Sequence, residues 1–197
     1  MKKILYVHGL GSGANSSTTK MLRDYFKNDR VYAVELTMNY PYECIKKVND
    51  SVSENGIDVV IGSSMGGFFA MQAEGAAKIL INPCLSPCAV LPQLIGINEE
   101  QEYFTQRLNG EKHYTVTDKA IREYKIIGDS FFTVSCNEKM KSETYVVLGT
   151  EDKVITASES LALIGKFNEN HIYRIKGMEH RAAPEALPVI EKIINGI

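Results

Sequence analysis

Residues 58–74 read DVVIGSSMGGFFAMQAE, and the centre of this stretch carries the most specific pattern in the chain. An apolar run ends at a glycine, a serine-containing turn follows, and helix-forming residues come directly after the turn. The pentapeptide at 62–66 fits G-x-S-x-G, in which a serine lies on a sharp turn between a strand and a helix. Gly62 and Gly66 leave the backbone room to turn there. The stretch therefore predicts a buried strand, a tight elbow with Ser64 at its apex, and a helix.

Short apolar runs and helix-like segments alternate along most of the chain. The predicted strands are Lys3–His8, Arg30–Leu36, Ile57–Gly62, Ala77–Asn82, Thr144–Leu148 and His171–Ile175. The predicted helices are Ser16–Asn28, Tyr42–Asn55, Met65–Glu74, Ile155–Phe167 and Pro184–Ile194. This alternation indicates an α/β fold, with a mainly parallel sheet of about six strands flanked by helices.

Residues 84–142 interrupt this alternation after the fourth predicted strand. They contain helix-like pieces at Ala89–Ile95, Glu99–Leu108 and Thr117–Ile127, and an ambiguous run at Phe131–Cys136. We interpret residues 84–142 as a helical insertion, or lid, over the carboxyl edge of the sheet, where α/β folds place their sites. The insertion is too short to require a domain of its own. Residues 1–197 are therefore expected to form a single α/β domain.

The composition is that of an ordinary globular protein and limits the classes of partner. Apolar residues make up 44% and charged residues 23%, and the formal net charge is −2. This charge gives no electrostatic reason to expect a nucleic acid or an anionic membrane as partner. The apolar run Ile4–Val7 is shorter than the roughly 7–15 residues of a secretion signal or the about 20 of a membrane span. We therefore expect a cytoplasmic protein, and nothing in the sequence indicates its oligomeric state.

The cysteines do not indicate a metal site. Cys84 and Cys88 are separated by three residues, whereas the usual zinc and redox pairs are separated by two. We expect ordinary reduced cysteines, as in most cytosolic chains, and no bound metal.

A candidate acid and a candidate base follow the last two predicted strands. A serine hydroxyl becomes a strong nucleophile when a base accepts its proton and a carboxylate orients that base. Asp152 lies in LGTEDKV and His180 in KGMEHRA, both at the carboxyl ends of strands and thus at the same edge as Ser64. The chain order serine, acid, histidine is that of α/β-hydrolases. We predict Ser64 as nucleophile, Asp152 as acid and His180 as base.

Each of these assignments has a competing interpretation. The elbow at Ser64 also fits a glycine-rich turn without chemistry, and Ser63 is a second candidate nucleophile. Asp152 is in position to cap the following helix, and Glu151 is a second candidate acid. A loop histidine such as His180 is most often a surface residue. We favour the triad because its members support one another in order and in location.

Residues 6–14, YVHGLGSGA, form a glycine-rich loop that has two interpretations. Gly9, Gly11 and Ala14 fit the dinucleotide fingerprint G-x-G-x-x-G/A, in which a pyrophosphate lies on the next helix. Glu35 lies 24 residues beyond Gly11, near the expected position of a ribose-binding acid. This interpretation predicts an oxidoreductase that binds a nicotinamide dinucleotide.

The second interpretation is that the loop supplies half of an oxyanion hole. A His-Gly pair after a strand is typical of the α/β-hydrolase loop that donates one amide to the oxyanion. His8 would crowd the turn that a pyrophosphate needs, and a dinucleotide site leaves the motif at 62–66 unexplained. We therefore favour an oxyanion hole made by the amides of Met65 and Leu10, with Gly11 as an alternative to Leu10, and we expect no cofactor. The residues expected to shape the two loops are His8, Gly9, Gly11, Gly62 and Gly66.

Several segments of the chain together resemble one family. YVHGLGSGANSSTTK, VVIGSSMGGFFA, ILINPCLSP, LGTEDKV and GMEHR are similar to segments of the YqiA/YcfP-like small esterases of the α/β-hydrolase superfamily. The resemblance implies a compact hydrolase that begins directly at the His-Gly strand and acts on small acyl esters. It implies Ser64 as nucleophile, Asp152 as acid and His180 as base. The insertion does not match this family's pattern, so the resemblance leaves the acyl-binding surface undefined.

The resulting hypothesis is a serine hydrolase that cleaves small carboxylic esters or thioesters through an acyl-enzyme, with a small-molecule acyl ester as its partner. A non-catalytic hydrolase-like binding protein would have the same fold. A carbon–carbon hydrolase or an acyltransferase would have the same triad. Aromatic residues of the insertion are expected either to line an apolar acyl pocket or to pack in the core: Tyr103, Phe104, Phe131 and Phe132.

Overall fold

The computed structural model describes residues 1–155 and 162–197 of the chain. In chain order its strands are β1 (Lys3–Val7), β2 (Arg30–Val34), β3 (Val59–Ser63), β4 (Ala77–Ile81), β5 (Glu100–Glu102), β6 (His113–Thr115), β7 (Thr144–Gly149) and β8 (Ile172–Ile175). Its helices are α1 (Ser17–Tyr25), α2 (Pro41–Asn55), α3 (Met65–Ala70), α4 (Pro87–Leu94), α5 (Asp118–Ser130), α6 (Glu138–Ser142) and α7 (Leu187–Asn195). Shorter helical turns are Phe131–Ser135, Glu169–His171 and Pro184–Ala186.

The main sheet has six strands in the order β2-β1-β3-β4-β7-β8, which confirms the predicted α/β fold. Every neighbouring pair is parallel, so all of these strands end at one edge. The order reverses at β1, because the chain passes to β2 on one side and then to β3 on the other. The loops after β1 and β3 therefore lie side by side at the carboxyl edge, where α/β folds place their sites.

Alternate residues of each strand face two apolar layers. In β1, Leu5 and Val7 contact the layer that contains α2, α3 and α5, whereas Ile4 and Tyr6 contact the layer of α1 and α7. Because both faces of the sheet are covered, every residue of the central strands β3 and β4 is buried. No helix within residues 1–155 or 162–197 is long and apolar enough to cross a membrane.

Helix α5 of the insertion packs into the first of these layers. Tyr124 is buried and its ring meets that of Phe68 edge to face, with centroids 5.4 Å apart. The Tyr124 hydroxyl donates to the carbonyl oxygen of Met38. The ambiguous run at Phe131–Cys136 forms a π-helical turn that continues α5, and Phe131 is buried. The structure thus places this part of the insertion in the core against α3.

The predicted helix Glu99–Leu108 is wrong. Its first part is strand β5, which pairs antiparallel with β6 and sets Glu102 opposite His113. Residues 99–102 are acidic or polar and offer no apolar stripe with which a helix could pack on the core. Asn98, with φ 65°, turns the chain just before the hairpin. The pattern of apolar residues within 99–108 contains no information about β6, the strand with which β5 pairs.

The predictions Met65–Glu74 and Ile155–Phe167 each overlap helical residues in part. Met65–Glu74 begins as predicted but ends at Ala70, and Gly75, with φ 76°, follows in the turn. Residues 156–161 of the predicted helix Ile155–Phe167 lie outside the described residues, and residues 162–164 are helical.

The first turn of α3 passes so close to β1 that Gly66 has no room for a side chain. A Cβ there would collide with the carbonyl oxygen of Val7 and would lie 2.6 Å from that of His8. We expect Gly66→Ala to lower the free energy of unfolding by about 2–3 kcal/mol, because the backbone of a central strand cannot move aside. Urea unfolding measures this change. Gly128→Ala is the control, since its Cβ would make only an ordinary 3.7 Å contact with Phe68 in a helix that favours alanine. Equal losses in the two variants would contradict the close-contact explanation.

Candidate active site

Ser64 lies at the elbow between β3 and α3 in a backbone conformation that is rare for a residue with a side chain. Its φ is 54° and its ψ is −123°. The backbone is held there by hydrogen bonds, since the Ser64 amide donates to Ile81 at 3.0 Å and the Ser64 carbonyl accepts from Gly67 and Cys84 at 2.9 and 3.0 Å. Such a conformation costs on the order of 1–3 kcal/mol and persists only where the surroundings impose it.

The imidazole of His180 connects the elbow to the loop after β7. His180 Nε2 lies 2.9 Å from Ser64 Oγ, and His180 Nδ1 lies 3.0 Å from Asp152 Oδ2. With Nδ1 protonated, the ring donates a hydrogen bond to the carboxylate and accepts one from the serine hydroxyl. The structure thus brings together the three residues predicted as nucleophile, base and acid, from loops after β3, β8 and β7.

Asp152 uses its two carboxylate oxygens for different partners. Oδ2 faces His180, while Oδ1 accepts from the amides of Val154 and Ile155 at 2.8 and 3.1 Å. Burial alone would raise the pKa of Asp152, but the hydrogen bonds from His180 and from the two amides outweigh it, so that the pKa lies below its usual value. The carboxylate is therefore ionised at neutral pH. Asp152 thus bonds the amides of Val154 and Ile155 and the imidazole at the same time.

The second candidates for nucleophile and acid have other hydrogen-bond partners, although Ser63 lines the same cleft as Ser64. Ser63 Oγ is 2.7 Å from the hydroxyl of Tyr6. Tyr6 faces the layer of α1 and α7, which is on the opposite side of the sheet from α3. The side chain of Glu151 is exposed, and its amide donates to the carbonyl oxygen of Met178.

Asn82 is a site residue that the analysis of the triad did not single out. It is buried and has φ 43°, a conformation that asparagine tolerates better than most residues. Its amide nitrogen donates to the carbonyl oxygens of Glu179 and His180 at 2.9 and 3.0 Å, and its oxygen accepts from the Gly149 amide at 2.7 Å. One side chain at the end of β4 thus ties the His180 loop to the end of β7. In the sequence, the feature that could have indicated this role is an asparagine between an apolar strand and Pro83.

The first loop, residues 8–14, lies directly against the elbow. A Cβ on Gly9 would be 3.3 Å from the Cβ of Ser64, and Leu10 lines the cleft above the serine. Met65 begins α3 immediately after Ser64, as the motif predicted. Gly11 has φ 68°, which favours glycine, and its carbonyl oxygen accepts from the Phe104 amide at 3.0 Å.

His8 and Glu35 are both occupied within the protein. The buried ring of His8 donates from Nδ1 to the Gly9 carbonyl at 2.8 Å and accepts the Leu36 amide at Nε2 at 3.1 Å. Glu35 pairs with Arg107 and accepts from the Leu108 amide at 2.9 Å. Burial opposes ionisation of Glu35, yet the hydrogen bond from the Leu108 amide and the charge of Arg107 outweigh it, so that its pKa lies below its usual value. This geometry gives no support to a ribose-binding role for Glu35.

A cleft of about 940 Å³ opens above Ser64 at the carboxyl edge. One group of lining residues is apolar: Leu10, Leu94, Ile95, Phe104, Tyr114 and Val154. Another is polar: Ser12, Asn15, Ser16, Ser17, Thr18 and Lys20. Of the aromatic residues expected either in a pocket or in the core, Phe104 lines the cleft, while Phe131 and Phe132 pack with the core. Tyr103 lies against the guanidinium of Arg107.

Comparison with known proteins identifies the family. A model of the uncharacterised protein family UPF0227 matches residues 3–180. The chain belongs to UPF0227. This is the YqiA/YcfP family, so the resemblance found in the sequence is confirmed.

Solved structures with a similar fold are distant in sequence from this UPF0227 protein. A monoacylglycerol lipase of Paleococcus ferrophilus is 14% identical, with a TM-score of 0.60 over 98% of this chain and 91% of its own. The mouse alpha/beta hydrolase domain-containing protein 10 is 15% identical, with a TM-score of 0.63 over 98% and 88%. A methylesterase from Arabidopsis is 11% identical, with a TM-score of 0.62 over 100% of both chains. These similarities show that the UPF0227 chain has the α/β-hydrolase fold.

The backbone at position 64 is expected to be more stable with glycine than with alanine. Ser64→Gly and Ser64→Ala remove the same hydroxyl, but only glycine relaxes at φ 54° and ψ −123°. We expect Ser64→Gly to be the more stable of the two by about 1 kcal/mol in urea unfolding. At Ser63, inside β3, the order should reverse by about 0.5–1 kcal/mol, because glycine weakens a strand. The same order at both positions would contradict a strained elbow.

Proposed function

We propose that the protein is a serine hydrolase that cleaves small carboxylic esters, or thioesters, through Ser64, His180 and Asp152. The observation that carries the proposal is the continuous pair of hydrogen bonds from Asp152 through His180 to Ser64, at 3.0 and 2.9 Å. The fold and the printed names of similar structures, a monoacylglycerol lipase and a methylesterase among them, support ester chemistry.

The proposed reaction begins with attack of Ser64 Oγ on the substrate carbonyl carbon while His180 Nε2 accepts the serine proton. The ionised Asp152 stabilises the resulting imidazolium and keeps the ring in the productive tautomer. We assign the oxyanion to the amides of Leu10 and Met65, which belong to the two loops that meet at the elbow. His180 then protonates the leaving alcohol or thiol. Water, activated by the same imidazole, hydrolyses the acyl-enzyme and regenerates Ser64.

The cleft suggests how an ester lies on the site. The ring of Phe104 is 64% exposed although aromatic residues are usually buried, so it offers apolar surface to a ligand. We assign the apolar lining to the acyl group and the hydroxyl-rich lining of the first loop and α1 to a polar alcohol portion. The substrate class is thus an ester of an apolar acyl group with a polar alcohol.

Ser64 should be the residue that an activated phosphonate modifies. We expect a fluorophosphonate to add covalently to Ser64, detected by mass spectrometry of the labelled peptide. We expect Ser64→Ala to lose labelling and to lower kcat on a p-nitrophenyl ester by several orders of magnitude. Ser63→Ala is the matched control, because Ser63 Oγ bonds Tyr6 instead, and it should keep both properties. Equal turnover in wild type and Ser64→Ala would remove Ser64 from the mechanism.

Phe104 should influence the choice of acyl chain. Phe104→Ala is expected to lower kcat/KM for p-nitrophenyl octanoate by about 5- to 10-fold, since apolar contact with the longer chain is lost. The value for p-nitrophenyl acetate should change by less than about twofold, because an acetyl group is too short to use the full apolar wall. Val134→Ala, which shortens an exposed apolar side chain that does not line the cleft, is the control. A parallel fall for both esters would argue against Phe104 as an acyl contact.

A further inference from the structure

Arg107 is a charged residue of the insertion that the proposed mechanism does not use. Its side chain is 0% exposed and lies between the first loop and the end of β2. Nη1 donates to the Ser12 carbonyl at 2.9 Å, and Nη2 donates to the Leu36 carbonyl at 2.8 Å. Burial of a guanidinium is unfavourable unless it is paired and hydrogen-bonded. Arg107 meets this condition at Nη1 and Nη2, through Glu35 and the two carbonyl oxygens, while its buried Nε has no hydrogen-bond partner among the described residues. One of these contacts is made to the loop beside Ser64.

Glu35, the ion-pair partner of Arg107, also contacts the first loop. Glu35 accepts from the Ala14 amide at 3.3 Å, at the end of that loop, and from the Leu108 amide at 2.9 Å. Its Oε1 lies 3.4 Å from His8 Nε2, at the start of the loop. The ion pair of the buried Arg107 and the partly buried Glu35 therefore contacts the first loop at its beginning, middle and end.

Further bonds from the same segment of the insertion hold the middle of the loop. The Phe104 amide donates to the Gly11 carbonyl at 3.0 Å, and the hydroxyls of Thr105 and Ser12 lie 3.3 Å apart. Gly9 is fixed from within the loop, because its carbonyl accepts from His8 Nδ1 and from the Ser12 amide. The amide of Leu10 therefore lies between anchored positions on either side.

We propose that Arg107 is a positioning residue, which holds the first loop in the conformation that directs the Leu10 amide at the oxyanion. This inference rests on the proposed function. An oxyanion donor accelerates the reaction only when it is fixed before charge develops. The first loop is rich in glycine, which is conformationally free, and it has few apolar side chains that could pack and make the loop rigid. The insertion supplies this rigidity through Arg107 and its neighbours.

The test compares Arg107→Lys, Arg107→Met and the double variant Glu35→Gln/Arg107→Met. The single Met variant leaves the carboxylate of Glu35, which is 15% exposed, without its charged partner and is expected to be unstable, whereas the double variant removes both charges. Fluorophosphonate titration gives the number of competent Ser64 sites, so that kcat is expressed per site. We expect the double variant to lose kcat by roughly 10- to 100-fold with KM within about twofold of wild type. Arg107→Lys keeps the positive charge but loses the second nitrogen that donates a hydrogen bond. Its kcat per site should lie between that of the wild type and that of the double variant.

The affinity for an arylboronic acid, expressed per titrated Ser64 site, does not change when part of the protein is unfolded. Its tetrahedral adduct with Ser64 needs the oxyanion donors, so its affinity per titrated site should fall in proportion to kcat. Arg122→Met, at an exposed position of α5, is the control and should match wild type. A folded double variant with wild-type kcat per site and wild-type boronate affinity would overturn the positioning role. Wild-type protein without ester turnover or labelling at Ser64 would instead overturn the proposed function, and this inference with it.

Discussion

The close approach of α3 to β1 at Gly66 is the contact on which the rest of the site depends. At this point the backbone of the helix meets the carbonyl oxygens of Val7 and His8. Ser64 lies just before the contact on one chain segment, and the first loop begins just after it on the other. A single backbone-to-backbone approach therefore fixes the distance between the serine and the amides of that loop. Gly62 extends the same constraint, since a Cβ there would lie 2.6 Å from that of Ala70.

The loops around the elbow are held mainly by polar side chains from neighbouring strand ends. Asn82 bonds three backbone groups of the His180 loop and of β7, and Asp152 bonds two amides as well as the imidazole. Glu35, at the end of β2, does the same for the first loop. Buried polar groups of this kind are costly unless each is satisfied, and here their partners are the otherwise unpaired backbone groups of loops. Stability of the loops and geometry of the site thus come from the same bonds.

The sequence predicts those parts of the molecule whose structure depends on residues close together in the chain. Each strand of the main sheet is a short apolar run, and the elbow at Ser64 follows from glycines at fixed spacing. The order of Ser64, Asp152 and His180 along the chain indicated that these residues would meet at one edge. Their roles as nucleophile, acid and base stay a prediction.

What depends on distant partners could not be predicted. The hairpin of β5 and β6 replaces a helix because its pairing partner lies beyond the range of helical periodicity. Arg107 looks like any exposed cation in the sequence, and Glu35 looked like a ribose ligand because of its spacing from Gly11. Only the fold shows that these two side chains neutralise each other.

The parallel sheet has a kinetic consequence for the site. None of the strand pairs in the main sheet is a local hairpin, so each must close a long stretch of chain before its hydrogen bonds form, and such topologies fold slowly. The first loop follows β1 and Ser64 follows β3, whereas Asp152 and His180 follow β7 and β8 on the other side of β4. A chain in which only β1 to β4 had assembled would hold the elbow without Asp152 and His180. Under the proposed mechanism, the Ser64 hydroxyl would then have no base beside it until β7 and β8 had joined the sheet.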